Sequence, residues 1–397
     1  MAAPSNATTA AGDEATELSK QYDTPLGLAH TTMQALKDRI KLHYDLASDY
    51  YLNLWGEHIH HGYWPTEASK ATDSKETAQI NLIRLLLDIS GLAAPPPDNN
   101  ANTTAKPLRI LDVGCGIGGT SRYLARTLGA TVTGITISGK QVQIATRLSK
   151  SAAAAASSAS SAPSSSDGTT PANASEDEEA GFIPLAAAES SSSGSGGKVR
   201  FLELDAEKMG DFFSSSPGRS SSRNSSSSSA PGKEEVKEEE EAGAFDVVWI
   251  SEALSHFPDK ALFFRNAHRL LRGGGRGRLV LADWFKAEGL VEGGAEFERD
   301  IRPIEDGMLL PPLCTQQEYV NMAAAAGLQV LSAPKDISAD VSKTWDISWS
   351  LVQNPSLWAF AFSQGRDGIA FLQAFRAMRR GYANGTFRYA VMSFVKP

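Results

Sequence analysis

Apolar residues recur at helical spacing over 31–54 and again over 75–89, where Ile80, Ile83, Leu86 and Leu87 share one face. Gly91 and the Pro95-Pro96-Pro97 spacer stop the second stretch. Downstream the pattern changes. Short apolar runs at 108–113, 131–135, 199–204, 245–250 and 278–282 read as strands, and 119–128, 139–149 and 260–271 read as the helices between them. Strands alternating with helices in this order predict an α/β fold, a mostly parallel sheet with helices on both faces. A further helix begins near Thr315, and the aromatic-rich stretch behind it predicts a helical lid. The expected organisation is a frayed terminus over 1–30 and one domain over 31–397. That domain divides into N-terminal helices over 31–104, a core over 105–282 and a substrate or lid portion over 283–397.

Composition changes this picture in two places. The stretches 151–197 and 214–242 are dominated by Ser, Ala and Glu, which bury too little apolar surface to offset the entropy of ordering, so both are expected as disordered inserts. Loop lengthening at such points costs little, because closure entropy grows only logarithmically with length. The net charge of -8 includes the acidic run from Glu238 to Glu241, and no basic stripe suits a polyanion, so nucleic acid is not an expected partner. Two cysteines, Cys115 and Cys314, and the lack of a basic-then-apolar start over 1–20 point to the reducing cytosol. No apolar run approaches the roughly 20 residues that span a bilayer.

The densest chemistry lies where the first strand ends, at Asp112-Val113-Gly114-Cys115-Gly116-Ile117-Gly118-Gly119. Glycines there let backbone approach a ligand closely. Gly114, Gly116 and Gly119 alone also match the dinucleotide fingerprint of a nicotinamide-dependent oxidoreductase. That reading needs an acid about 20 residues on to hold the ribose, and the second strand ends in Thr133-Gly134-Ile135-Thr136-Ile137-Ser138 without one. The third strand ends at Leu204-Asp205-Ala206, where a carboxylate can accept from an adenine amino group beside the Ala206 amide.

The turn with Asp112 before it is similar to the Asp-x-Gly-x-Gly motif of class I methyltransferases, a Rossmann-like fold. The string Trp55-Gly56-Glu57-His58-Ile59-His60-His61-Gly62-Tyr63-Trp64, with the helical segment before it, is more specific. It resembles the entrance of the branch containing gamma-tocopherol methyltransferases and plant alkaloid N-methyltransferases, with cyclopropane fatty acid synthases more distant. The similarity continues through 116–125, 134–141, 252–260 and 381–390. It implies S-adenosyl-L-methionine as cofactor, with Thr136, Ser138 and Gln141 replacing the usual acid near the ribose. Asp112, Gly114, Cys115, Gly116 and Gly118 of the turn, Asp205 and Ala206, and Ser251 after the fourth strand complete the implied set. Tyr44, His60 and Tyr63 would close over the cofactor from the N-terminal side. One departure is Ser255, where relatives usually carry a Glu before the histidine, and its absence argues against cyclopropanation.

Methyl transfer needs alignment, exclusion of water and, for some acceptors, removal of a proton. His256, beyond the fourth strand, is the first candidate base, and packing with Trp249 and Phe257 is its structural alternative; His61 is the second candidate. His58, His60 and His61 lack a recognised downstream ligand, so no metal is expected. Trp345, Trp349, Trp358, Phe360, Phe362, Phe371 and Phe375 suit either a lid or a core, and Trp284 lies nearer the expected pocket. The expected function is methylation of an apolar, ring-bearing small molecule at nitrogen, oxygen or aromatic carbon. A catalytically silent cofactor-binding protein is the competing class, motivated by Ser255 and the inserts.

Overall fold

The computed structural model describes residues 33–92, 106–160, 181–188, 196–214, 245–352 and 366–397. Strands β1 (Arg109–Val113), β2 (Thr131–Thr136), β3 (Ile183–Pro184), β4 (Lys198–Glu203), β5 (Val247–Ser251), β6 (Arg278–Lys286), β7 (Gln329–Asp336) and β8 (Phe387–Val395) form one sheet in the order β3-β4-β2-β1-β5-β6-β8-β7. The run β4-β2-β1-β5-β6 is parallel, and β3, β7 and β8 pair antiparallel. Side chains alternate across the pleat. Ile110, Val247, Trp249 and Val280 therefore enter one buried cluster, while Leu111, Val248, Ile250 and Leu279 enter another. Helices covering both faces explain why β1, β5 and β6 carry buried apolar residues on both sides of the pleat.

The strand order reverses at β1, between β2 and β5. In such sheets the crevice outside the carboxyl ends at the reversal is where ligands bind. Helices Gly119–Leu128 and Lys260–Leu270 follow the sequence pattern closely, the latter capped by Asp259, whose side chain accepts from the Leu262 amide at 2.8 Å. On the helix Lys75–Ile89 the buried stripe is Leu82, Ile83, Leu86 and Leu87, with Ile80 at its margin.

One expectation is corrected. The stretch 151–197 is not wholly a solvated insert: the helix that begins at Gly139 runs on to Ser160, Ile183–Pro184 pairs with β4, and Leu185 is buried. One or two apolar residues inside a serine-rich stretch carry no period, and an edge strand needs only that many. Residues 1–32, 161–180 and 215–244 lie outside the described residues. The C-terminal portion adds to the sheet as well as supplying helices: strand β8 inserts between β6 and β7, with Met392 and Phe394 fully buried.

Candidate active site

A cavity of about 270 Å³ opens at the carboxyl ends of the parallel strands, roofed by the helix Met33–Trp55 and by the 56–64 loop. At its floor Gly114 and Cys115 both donate their amides to the Ile135 carbonyl, at 2.9 and 3.0 Å, which folds the turn tightly over β2. Gly114 sits at φ +71, and a Cβ there would stand 2.4 Å from the Ala253 Cβ. Gly116, at φ +54, is different: a Cβ there meets only Ile59, at 3.9 Å, so its bare backbone faces open space. Asp112 accepts from Ser121 at 2.5 Å, and burial pushes its carboxyl up to about 6 despite that bond.

The rim is held by charges from the N-terminal helix. Lys37 reaches Asp205 at 3.0 Å and also Glu207, Lys41 reaches Glu203 at 2.7 Å, and Ser138 donates to Asp45. Asp205, besides lining the cavity, accepts from the Glu207 amide and so starts the short turn behind it. Thr136 donates to Gln141 at 2.6 Å, and both side chains line the cavity.

The opposite wall is aromatic. Trp284, Trp345, Phe371, Phe375 and Tyr44 line it, with Phe371 and Phe375 stacked edge to face at 4.7 Å and Trp345 against Phe375 at 5.4 Å. Trp349 lies outside this wall, under the guanidinium groups of Arg376 and Arg379. Trp358, Phe360 and Phe362 fall outside the described residues. His256 ends a short 3-10 turn after β5, with Tyr44 Oη 3.4 Å from its Nε2; burial pushes the ring down to about 4, so it is neutral at pH 7.

Of the residues expected from sequence, Tyr44, His60, His61, Asp112, Gly114, Cys115, Gly116, Thr136, Gln141, Asp205, Ala206, Ser251 and His256 meet in this cavity. Three do not. Tyr63 packs against the main core and donates its amide to Ala78, because Gly62, with no room for a Cβ beside the Trp64 ring, pins the loop and turns Tyr63 away. Gly118 faces Phe201 and caps the following helix at φ +77, and Ser138 is spent on Asp45 and the Gln141 amide.

Glu252 was missed. Its carboxylate joins the cavity wall and binds His61 and the Tyr389 hydroxyl. The signal available was an acid directly after an apolar strand that ends at the ligand edge of the sheet. Its partners lie 191 and 137 positions away along the chain, which no local pattern links.

Comparison with known proteins agrees with this geometry. The family described as "Methyltransferase domain" matches residues 83–333. The chain is 26% identical to a chloroplastic tocopherol O-methyltransferase of Arabidopsis thaliana, over 93% of this chain and 85% of that protein. It is 28% identical to a 2-methyl-6-phytyl-1,4-hydroquinone methyltransferase of Synechocystis, over 86% and 82%. Among solved structures, the cyclopropane synthase MmaA2 from Mycobacterium tuberculosis superposes with a TM-score of 0.57 at 16% identity, covering 91% of this chain and 98% of its own. A geranyl diphosphate C-methyltransferase from Streptomyces coelicolor gives 0.52 at 16%, over 91% and 98%. At such identities these two structures speak for the fold.

Proposed function

This chain belongs to the methyltransferase domain family, and on that premise we propose that it moves a methyl group from S-adenosylmethionine to an apolar, ring-bearing small molecule. The observation that carries this reading is one continuous cavity with two unlike walls: glycine backbone and carboxylates on one side, stacked aromatic rings on the other. The first wall fits the cofactor. Gly116 leaves its backbone facing open space, Asp205 and the Ala206 backbone suit an adenine, Thr136 and Gln141 suit a ribose, and the buried Ser251 Oγ has no partner among the described residues. When bound, the cofactor supplies an electrophilic methyl carbon on a sulfonium.

The chain's residues do the rest. Trp345, Phe371 and Phe375 give a flat apolar acceptor a stacking surface and keep water from the reacting atoms. The one lysine in the wall, Lys37, is engaged by Asp205 and Glu207, so no free cation among the described residues draws a phosphorylated or carboxylated acceptor into the cavity. A proton leaving the acceptor is taken by a cavity histidine, His61 or His256. No helix among the described residues is long and apolar enough to cross a membrane. Cytosolic placement rests on the unpaired Cys115 and Cys314.

The test is incubation with the cofactor and a panel of phenols, amines and electron-rich aromatics. S-adenosylhomocysteine release together with an acceptor gaining the mass of one CH₂ unit is the expected result. Tight cofactor binding without release on any acceptor would instead leave a silent binding protein.

A further inference from the structure

Glu252 is unusual in backbone as well as in charge. It follows β5 directly and stands at φ +56, in the left-handed region that costs a side-chain-bearing residue about 1 kcal/mol or more. Its Oε1 accepts from the His61 amide and from the Tyr389 hydroxyl, each at 2.7 Å, and its Oε2 accepts from His61 Nδ1 at 2.9 Å. Burial alone would raise this carboxyl, but the His61 ring and amide against it hold it below the ordinary carboxylate range. The His61 amide and the Tyr389 hydroxyl both donate to Oε1, and Oε2 faces the His61 ring, so the group is placed as an acceptor. A carboxylate that can only accept requires the proton of a neutral His61 to sit on Nδ1, which leaves the lone pair on Nε2.

His61 itself is 3% exposed, wedged against Tyr389 at 4.8 Å and Trp345 at 5.0 Å, and it forms part of the cavity wall. Its Nε2 is buried without a hydrogen-bond partner among the described residues. Most buried polar side-chain atoms have a hydrogen-bond partner, so a partnerless ring nitrogen on the wall of a cavity is available to a ligand. An oriented ring with one bonded nitrogen and one open nitrogen beside a ligand cavity is the arrangement of a base and its orienting acid.

We propose that Glu252 is a positioning residue that fixes His61 with its lone pair on Nε2, so that His61 rather than His256 takes the acceptor's proton during methyl transfer. The proposal rests on the function given above. In the step, the acceptor's O–H, N–H or ring C–H bond breaks and an N–H bond forms at His61 Nε2. The acceptor's electrons form the new bond to the methyl carbon, and the electron pair of the breaking S–C bond stays on sulfur. The imidazolium is balanced by Glu252 and returns its proton to water when the product leaves. His256 and His60 each also have one buried ring nitrogen without a partner among the described residues, so the open nitrogen alone does not choose between the three. What sets His61 apart is its bonded nitrogen, which faces a carboxylate, whereas those of His256 and His60 face the Tyr44 hydroxyl and the His61 carbonyl.

Glu252→Gln tests this, because the hydrogen-bond pattern dictates how the amide sits. Its oxygen must take the Oε1 position, where two donors converge, so its NH₂ faces His61 Nδ1 and donates. The ring proton then moves to Nε2 and the lone pair is lost from the cavity side. Nitrogen-15 spectra of the histidine rings, recorded without substrate and assigned with His61→Gln, should show Nδ1 protonated in the wild type and Nε2 protonated in the variant. Turnover should fall about 100-fold or more while KM for the cofactor stays within about threefold. A wild-type His61 protonated on Nε2 overturns the proposal even if the variant cannot be folded. So does a folded Gln variant with turnover within about threefold of wild type. A wild type that methylates no acceptor defeats the proposed function, and with it the base role, and the substrate-free spectrum separates that failure from a misread Glu252.

Discussion

The two walls of the cavity are built in opposite ways. The cofactor wall comes mainly from consecutive residues: the turn after β1 is closed by bonds to the neighbouring Ile135, and Thr136 and Gln141 bond each other across five positions. The acceptor wall is assembled from distant pieces, with His61, Glu252, Trp284, Trp345 and Phe371 coming from two loops, one strand and two helices. A local motif makes a site for one invariant ligand, while a wall drawn from many elements can change acceptor by single substitutions without disturbing the first. The same division separates what should break when each wall is damaged.

The largest effect is expected on the acceptor side. His61→Ala should lower turnover by about 100-fold to 10,000-fold while calorimetric affinity for S-adenosylmethionine moves by less than about threefold. Equal losses in both would show that the walls are not separable. Gly114→Ala should do the reverse: the new Cβ meets Ala253 at 2.4 Å on a backbone already at φ +71, so cofactor affinity should fall about tenfold or more. Unchanged affinity would mean that the turn is not the cofactor's seat.

Phe371→Ala should be milder, raising acceptor KM about tenfold with little change in turnover or cofactor affinity, because it removes stacking surface at one edge. An effect confined to turnover would place Phe371 in the chemistry. The smallest effect concerns pH and stability. His43 and His256 are both pushed by burial from 6.5 down to about 4. The unfolded chain binds their protons first as pH falls, so their contribution to stability is present above pH 6.5 and is lost as pH falls through 4. His256→Asn should shrink the fall in melting temperature between those limits, and an unchanged pH profile would show that the ring titrates normally.

Much of the frame was legible before the fold was known. Five parallel strands and the helices around them follow from short apolar-rich runs alternating with helical stretches, an order that a parallel sheet covered on both faces produces. The Asp112 turn was visible because its glycines crowd into six consecutive positions, Gly114 to Gly119. Strand β8 was not read as a strand, although its burial is nearly complete, because it was met only as part of a resembling string. Ile183 and Leu185 were hidden by serine-rich surroundings. Tyr63 was placed over the cofactor by the family resemblance, and the tight glycine at position 62 beside the Trp64 ring accompanies its turn toward the core instead.

The sequence by itself determined the class of fold and the cofactor, because both depend on periodicity and contiguous motifs that survive without three-dimensional information. How His61 is held was decided only by the tertiary structure. The bond from His61 to Glu252 spans 191 positions, and the strained backbone that aims Glu252 exists only because β5, β8 and the 56–64 loop converge at one end of the sheet. Hydrogen bonds of that range are fixed by packing, and packing is a property of the whole chain.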